Sequence, residues 1–344
     1  MKRALTFLAF LFLVLGSIPS HARHIKVATY NVKNLFDLGR EGTEYEEYIP
    51  DNPFGWNKKT AEIKYRNISR VIKDMAPDIV GLQEIESSRA LILLRDRIRQ
   101  RGLDYPYSEI ADSRPTAVKC AILSRFPIVW KKEIRVHRPG ARNILAVKVR
   151  IDDKILYIYV NHWKSKHGPE SERIACAKAL RKAIDRLPKG SDFIILGDFN
   201  SNYNEFRTIS RHPELNDTKG ITGINHVLLT IKDGRMVTEK DLRADLSTRY
   251  LYNLWLELPP HRRWSYYLFG RKGTPDSIII PATLYDNHGF SYVDDSFDKF
   301  APRYLFRHHA IFQWQRANFG RGRHLGLGYS DHLPLYAYFS TTVR

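Results

Sequence analysis

Two polar side chains, Asp198 and Asn200, stand two residues apart directly after a compact apolar run, Phe193 to Leu196. Such a run reads as a strand buried on both faces, and Gly197 lets the backbone leave the sheet there without steric cost. If the path stays extended, both side chains point to one side. A carboxylate and an amide delivered together suit work on phosphate, the first orienting a water or cation and the second donating to a phosphoryl oxygen. The same pair would also serve a plain strand-to-loop turn, capping nearby N–H groups.

Six further residues share that kind of position. Asn31, Glu84 and His162 lie just past apolar strands, whereas Asp276, Asp331 and His332 lie just before them. In a sandwich of sheets, strand ends gather along one edge, where ligand sites form. Carboxylates crowded there repel one another unless a cation sits among them, and an oxygen-rich donor set without thiolate favours Mg²⁺ or Mn²⁺ over Zn²⁺. Any one of these residues alone is more often a cap. Eight in one setting point to a site.

The elements that must position them follow from hydrophobic spacing. His24 to Tyr30 alternates as a strand, Ile79 to Gln83 and Val118 to Leu123 are short apolar strands, and Leu145, Val147, Val149 and Ile151 share one face of another. Asp152-Asp153 turns that strand into Ile155 to Val160 as a hairpin, and Ser277 to Ile280 and Leu335 to Phe339 are later strands. Ile68, Val71, Ile72 and Met75 mark a helix that stops before Pro77. A second helix, from about Ser88 to Arg101, closes at Gly102, and a third from about Pro169 to Leu187 buries Ile174, Ala177, Leu180 and Ile184. The acidic stretch Glu41 to Glu47 reads as a solvated loop, and Ser201 to Leu251 is polar and weakly patterned. Residues 23–344 contain no repeat, low-complexity tract or flexible linker and read as one domain.

Residues 1–22 combine Lys2 and Arg3, an apolar stretch from Ala4 to Leu15, and Ser20-His21-Ala22 as a small-x-small cleavage site. They read as a secretory signal, which predicts a secreted or periplasmic protein. No later stretch reaches the roughly 20 apolar residues of a spanning helix, so stable membrane insertion is not expected. The 344 residues are 43% hydrophobic, ample for a core, and carry a formal net charge of +18. Such a surface attracts polyanions such as nucleic acid or anionic lipid, although many exported proteins are basic without binding either. Cys120 and Cys176 could pair in an oxidising compartment, or Cys120 could be a small buried hydrophobe within its apolar run. Nothing in the chain calls for an obligatory protein partner.

Six segments taken together resemble the successive motifs of the endonuclease/exonuclease/phosphatase superfamily. They are ATYNVKN (Ala28 to Asn34), LQEIE (Leu82 to Glu86), NHWKSK (Asn161 to Lys166), GDFNS (Gly197 to Ser201), PDSIII (Pro275 to Ile280) and SDHLP (Ser330 to Pro334). They run in order over nearly the whole chain after the signal, and within the superfamily the chain looks most like exported bacterial DNase I-like endonucleases. The resemblance implies an α/β fold, a four-layered sandwich of two central, mainly antiparallel sheets flanked by helices. It also implies Mg²⁺-dependent hydrolysis of phosphodiesters or phosphomonoesters, with Mn²⁺ as a substitute and a Ca²⁺ requirement left open. Glu84 resembles the principal metal-binding carboxylate, with Asn31 beside it and Asp331 completing the metal site through water. His332 resembles the histidine that acts as general base or contacts the scissile phosphate, oriented by Asp276. Asp198 and Asn200 match the pair that aligns the attacking water, and His162 the second histidine, which donates to a phosphate oxygen or leaving group. Where the family usually has a large polar ring after the aspartate, this chain has Pro275-Asp276-Ser277-Ile278.

Cationic and aromatic residues then suggest a substrate. Arg142 resembles a DNA-contacting arginine, Arg263-Trp264 sets a cation beside a ring, and the stretch from Ala301 to Gly328 has no acidic residue but includes Arg316, Arg321 and Arg323 among aromatics. Arginine contacts phosphates while aromatic faces stack on bases; equally, the rings could be core and the arginines solvated. The favoured reading is an endonuclease of little sequence specificity acting on DNA, with a double-stranded substrate expected and RNA open. A phosphatase or phosphodiesterase of lipid or inositol phosphates, sphingomyelinase-like or toxin-like, is the first alternative, and a non-catalytic nucleic-acid-binding protein the second.

Overall fold

The computed structural model describes residues 22–268 and 270–341; the expected export signal lies outside them except for Ala22. In chain order the strands of the two main sheets are β1 (His24–Leu35), β2 (Ile79–Ile85), β3 (Tyr107–Ile110), β4 (Lys119–Ser124), β5 (Ile128–Ile134), β6 (Ile144–Ile151) and β7 (Lys154–His162). They continue as β8 (Phe193–Asp198), β9 (Tyr252–Asn253), β10 (Asp276–Ile280), β11 (Phe290–Tyr292), β12 (Asp298–Lys299) and β13 (Leu335–Thr341). One sheet runs β11-β13-β1-β2-β4-β3, with β12 also on β13; the other runs β9-β10-β8-β7-β6-β5. Within each, a single parallel pair, β1 with β2 and β7 with β8, sits among antiparallel neighbours.

Alternation along the central strands explains the layering. Ile25 and Val27 of β1 join Val160, Ile194, Leu196 and Ile278 in the core between the sheets, while Ala28, Tyr30 and Val32 turn outward. That outer face is covered by α1 (Lys58–Met75) and α2 (Ser88–Arg99), and the outer face of the second sheet by α3 (Glu170–Ile184). Two apolar faces per sheet therefore need four layers. Gly81 sets how closely the sheets approach beneath the rim, because a Cβ there would lie 2.3 Å from Leu196 Cδ1.

α1 starts at an Asn57 cap whose side chain accepts from Thr60 N, and α2 at a Ser87 cap that accepts from Ala90 N. Five strands of the main sheets were not apparent in the sequence, β3, β5, β9, β11 and β12; β3, β5, β9 and β11 are edge strands, and β9, β11 and β12 are only two or three residues long. Residues 201–251 form short helical turns and a small ribbon. Cys120 in β4 and Cys176 in α3 are both buried and free, so the pairing alternative is not realised. No helix among the described residues is long and apolar enough to cross a membrane.

Candidate active site

Strand register assembles half of the site. His162 and Asp198 end the parallel neighbours β7 and β8 and are paired residues, and Asp198 is also paired with Asp276, the first residue of β10. Three polar side chains thus fall in one row across three adjacent strands. Gly197 makes the row possible: its φ is +136°, and a Cβ there would lie 2.1 Å from Asn161 O.

The other sheet supplies the opposing half through an irregularity. The β1–β2 register shifts between Asn31 and Leu35, and the β2–β4 register between Leu82 and Ile85. Glu84 lies in that bulge with φ +67°, which re-aims its side chain toward the rim. Asn31 Nδ2 then donates to both Glu84 Oε1 and Asp198 Oδ2, each at 3.0 Å, tying the two sheets together. Its Oδ1 accepts from Lys33 N at 3.0 Å. Asn31 therefore places two carboxylates, one from each sheet, beside the rim.

His332 arrives on the turn before β13. Ser330 Oγ holds that turn, donating to Asn31 O at 2.6 Å and accepting from His332 N at 3.1 Å. His332 Nδ1 lies 2.8 Å from Asp276 Oδ2, which also accepts from Ser265 Oγ at 2.6 Å. Trp255 Nε1 donates to Asp276 O at 2.7 Å, and the unusual Pro275 carbonyl accepts from Phe199 N at 2.8 Å, so the Pro-Asp-Ser segment keeps the aspartate aimed at the histidine. The Tyr266 ring covers His332 at 4.8 Å between centroids. His332 Nε2 is left 4.0 Å from Asp198 Oδ2 and 3.9 Å from Asp331 Oδ1, bonded to neither.

Burial and charge then divide the groups. Burial alone would lower the His332 pKa, but Asp276, Asp331 and Asp198 together raise it to about 10. His162 goes the other way, held well below the ordinary imidazole value by burial and by the positive charges of Arg142 and His332. Burial pushes Asp198 up to about 7, against the opposing pull of His332. For Asp331 burial works upward, but Lys33 and His332 overcome it and bring the carboxyl down to about 2.

A cation-sized cluster lies among these groups. Glu84 Oε1 and Asp198 Oδ2 are 3.7 and 3.6 Å from His162 Nε2, and the three donors all lie within 4.8 Å of one another. His162 therefore stands beside the two carboxylates of this cluster, and its Nδ1 is buried without a hydrogen-bond partner among the described residues. Asp331 lies outside this cluster, its Oδ2 3.2 Å from Lys33 Nζ in an ion pair. Asn200 lies beside the cluster with φ +48°, its N donating to Asp198 Oδ1 at 2.8 Å and its Nδ2 to Trp163 O at 3.2 Å.

The outlying cations divide as well. Arg142 lies at the rim, donating to Trp163 O at 3.4 Å. Arg263 does not hang free as a phosphate clamp: it donates to Leu258 O, Tyr203 Oη and Leu256 O. Arg316 is likewise held by Gly322 O and Glu47, whereas Arg321 and Arg323 are exposed. Trp264 is half-buried, edge-on to Phe306 and flanked by Lys272 and Lys299. Lys33, Ser265, Tyr266 and Ser330 were missed from sequence. Only their adjacency to Asn31 and His332, or to the Arg263-Trp264 pair, could have flagged them.

None of the curated proteins compared by sequence matches the chain. Solved structures do. D. rerio TDP2, crystallised with a single-strand DNA product, has 14% identity and a TM-score of 0.56 over 92% of this chain and 99% of that one. An endonuclease/exonuclease/phosphatase family protein from Leptotrichia buccalis has 13% identity and a TM-score of 0.52 over 91% and 98%. ANGEL2, described as a 2′,3′-cyclic phosphatase, has 15% identity and a TM-score of 0.55 over 94% and 98%. At such identities the likeness establishes the fold, α/β with two mixed, mainly antiparallel sheets and flanking helices. Sequence establishes the family: the profile described as Endonuclease/Exonuclease/phosphatase family matches residues 26–231, more than half of the chain and the part that carries Asn31, Glu84, His162, Asp198 and Asn200, and the chain belongs to that family.

Proposed function

We propose that this chain is an exported, metal-dependent endonuclease that hydrolyses phosphodiester bonds of DNA. The observation that carries the hydrolytic reading is the convergence of His162, Asp198 and Asp276 in one row with Glu84 and His332 closing over it. A structural core has no use for four carboxylates and two histidines at one edge. The nucleic-acid reading draws on the +18 charge, on the acid-free stretch that leads into the site, and on the neighbour crystallised with single-strand DNA. Export rests on residues 1–22.

The two carboxylate oxygens of Glu84 and Asp198, which face one small space beside the His162 nitrogen, fit a hard divalent cation. Glu84 and Asp198 would hold it, with His162 alongside, and Mg²⁺ or Mn²⁺ there would lend positive charge to the non-bridging phosphate oxygens. The chain's own groups supply the rest. His332, charged by its three acidic neighbours, offers an N–H from Nε2 to a phosphoryl oxygen or departing oxygen. Asp198 is placed to accept a hydrogen bond from an attacking water, and its neighbour Asn200 stands ready to orient that water.

Digestion of supercoiled plasmid by the mature protein with Mg²⁺ tests this, with EDTA and His332→Ala controls and sphingomyelin and phosphoinositides assayed in parallel. Nicking abolished by both controls is expected. Release of a lipid headgroup with the plasmid intact would transfer the site to the lipid reading, and DNA binding without any turnover would remove the enzyme reading.

A further inference from the structure

The geometry at the end of β1 points to a second, protein-borne cation in the site, an inference that rests on the metal-dependent reading above and deepens it. Lys33 and Asn34 both take left-handed φ, +53° and +55°, and so fold the chain back over the rim. Lys33 N donates to Asn31 Oδ1, and Asn34 N donates to Glu84 Oε2 at 2.8 Å. The lysine backbone is therefore locked between two residues that touch the cation cluster. Its side chain then reaches the turn before β13, the neighbour of β1 in the same sheet, where Nζ meets Asp331 Oδ2 at 3.2 Å and donates to Gln313 Oε1. The two side chains are only 23% and 19% exposed, so the pair is largely withdrawn from water. Removing one partner would leave the other charge buried and uncompensated.

Charge matching gives the pair its meaning. The rim holds four carboxylates: Glu84, Asp198, Asp276 and Asp331. Asp276 is engaged by His332 and Ser265, and Asp331 by Lys33. Glu84 and Asp198 instead accept from neutral donors, the Asn31 amide that they share and the backbone N–H groups of Asn34 and Asn200. We propose that Lys33 is a positioning residue that serves as the fixed second cation of the site: it withdraws Asp331 from metal binding, and a single divalent ion at Glu84 and Asp198 completes the charge. The ammonium stays present whatever the ion concentration, whereas a second metal would have to be recruited from solution.

Titration calorimetry with Mn²⁺ on the mature protein reads the stoichiometry directly, independent of any substrate. Wild type and Lys33→Arg are expected to bind one ion per chain. Lys33→Met frees Asp331 and is expected to bind two, with plasmid nicking roughly 10- to 100-fold weaker at low Mg²⁺, the range for groups that orient metal ligands, and with a sigmoidal Mg²⁺ dependence. Adding Asp331→Asn to Lys33→Met returns the count to one. A plain structural tie would change melting temperature without changing the count, so a single ion in Lys33→Met overturns the inference whatever its activity. Two ions in wild type overturn it without any variant, which covers the case that Lys33→Met does not fold. Wild type that binds no ion would overturn the metal-dependent reading itself.

Discussion

The strand-end rim and the loop of residues 300–328 meet at Asp331, yet they hold their polar groups in different ways. On the rim, partners come from distant parts of the chain: Asn31 with Asp198, Asp276 with His332, Lys33 with Asp331. Asn31, Asp198, Asp276 and His332 are buried and Lys33 and Asp331 partly so, and strand register, a bulge or a bonded turn fixes each position. In the loop, Arg316 is tied to Gly322 and Glu47, Trp314 Nε1 donates to His324, and Arg321, Arg323 and Phe319 face solvent. A rim group is set by the sheets and has one place to be. A loop cation is set by its neighbours, and residue type alone does not say whether it is taken or free.

The largest test of that contrast is Asp198→Asn. The change keeps size but leaves one of two N–H donors, Asn31 Nδ2 or Asn200 N, without its acceptor, and it removes the charge that would orient the water and one face of the cation cluster. A fall in kcat of roughly a thousandfold or more is expected, the combined scale of lost water orientation and lost charge. Folding should persist, read by an unchanged far-UV spectrum. Activity within tenfold of wild type would mean that the row of strand-end residues is a structural edge and that the rim and loop differ less than proposed.

Asp276→Asn probes orientation, and its effect should be smaller, roughly 10- to 100-fold in kcat. It also carries a pH signature. The negative charges around His332 raise its pKa to about 10, Asp276 foremost among them, so the protonated ring persists through neutral pH. Without that charge the value falls, and the ring loses its proton at lower pH. The alkaline limb of the kcat profile should therefore move to lower pH. A fall in rate with the limb unmoved would leave Asp276 as a packing residue only.

These differences also explain what could be read from sequence. His162, Asp198 and Asp276 were legible because each ends or begins an apolar strand, and neighbouring strands bring such ends into line. Their row needs only that register. Lys33 was not legible, since its position depends on two successive left-handed residues after Asn31, a conformation that no periodicity signals. The bulge that turns Glu84 inward left no more trace than the residue itself. β5 was missed because Trp130-Lys131-Lys132-Glu133 lies on an exposed edge with mixed polarity, so neither a period of two nor a buried run stands out. Arg263 was read as a phosphate contact because its contacts with the Leu256 and Leu258 carbonyls depend on a local turn, Pro260–Arg262, that only the folded chain shows.

The smallest expected effect lies in the loop, where the comparison can be sharpened most. Arg321 and Arg323 have open guanidinium groups, whereas Arg263 and Arg316 are held by protein acceptors. If free cations of the loop meet the phosphate backbone, Arg321→Gln with Arg323→Gln should weaken DNA binding several-fold and lower the slope of log K against log salt by roughly one for each arginine. kcat at saturating DNA should change little, because neither residue touches the rim. Arg263→Gln should do the reverse, lowering the melting temperature through the lost carbonyl and Tyr203 contacts while leaving the salt slope alone. The two variants therefore separate free from engaged arginines by different instruments, fluorescence anisotropy against salt for the first and thermal denaturation for the second. A salt slope that drops in Arg263→Gln and stays fixed in the loop variant would move the DNA path away from the loop and toward the Tyr203 face, and the division drawn between taken and free cations would have to be reversed.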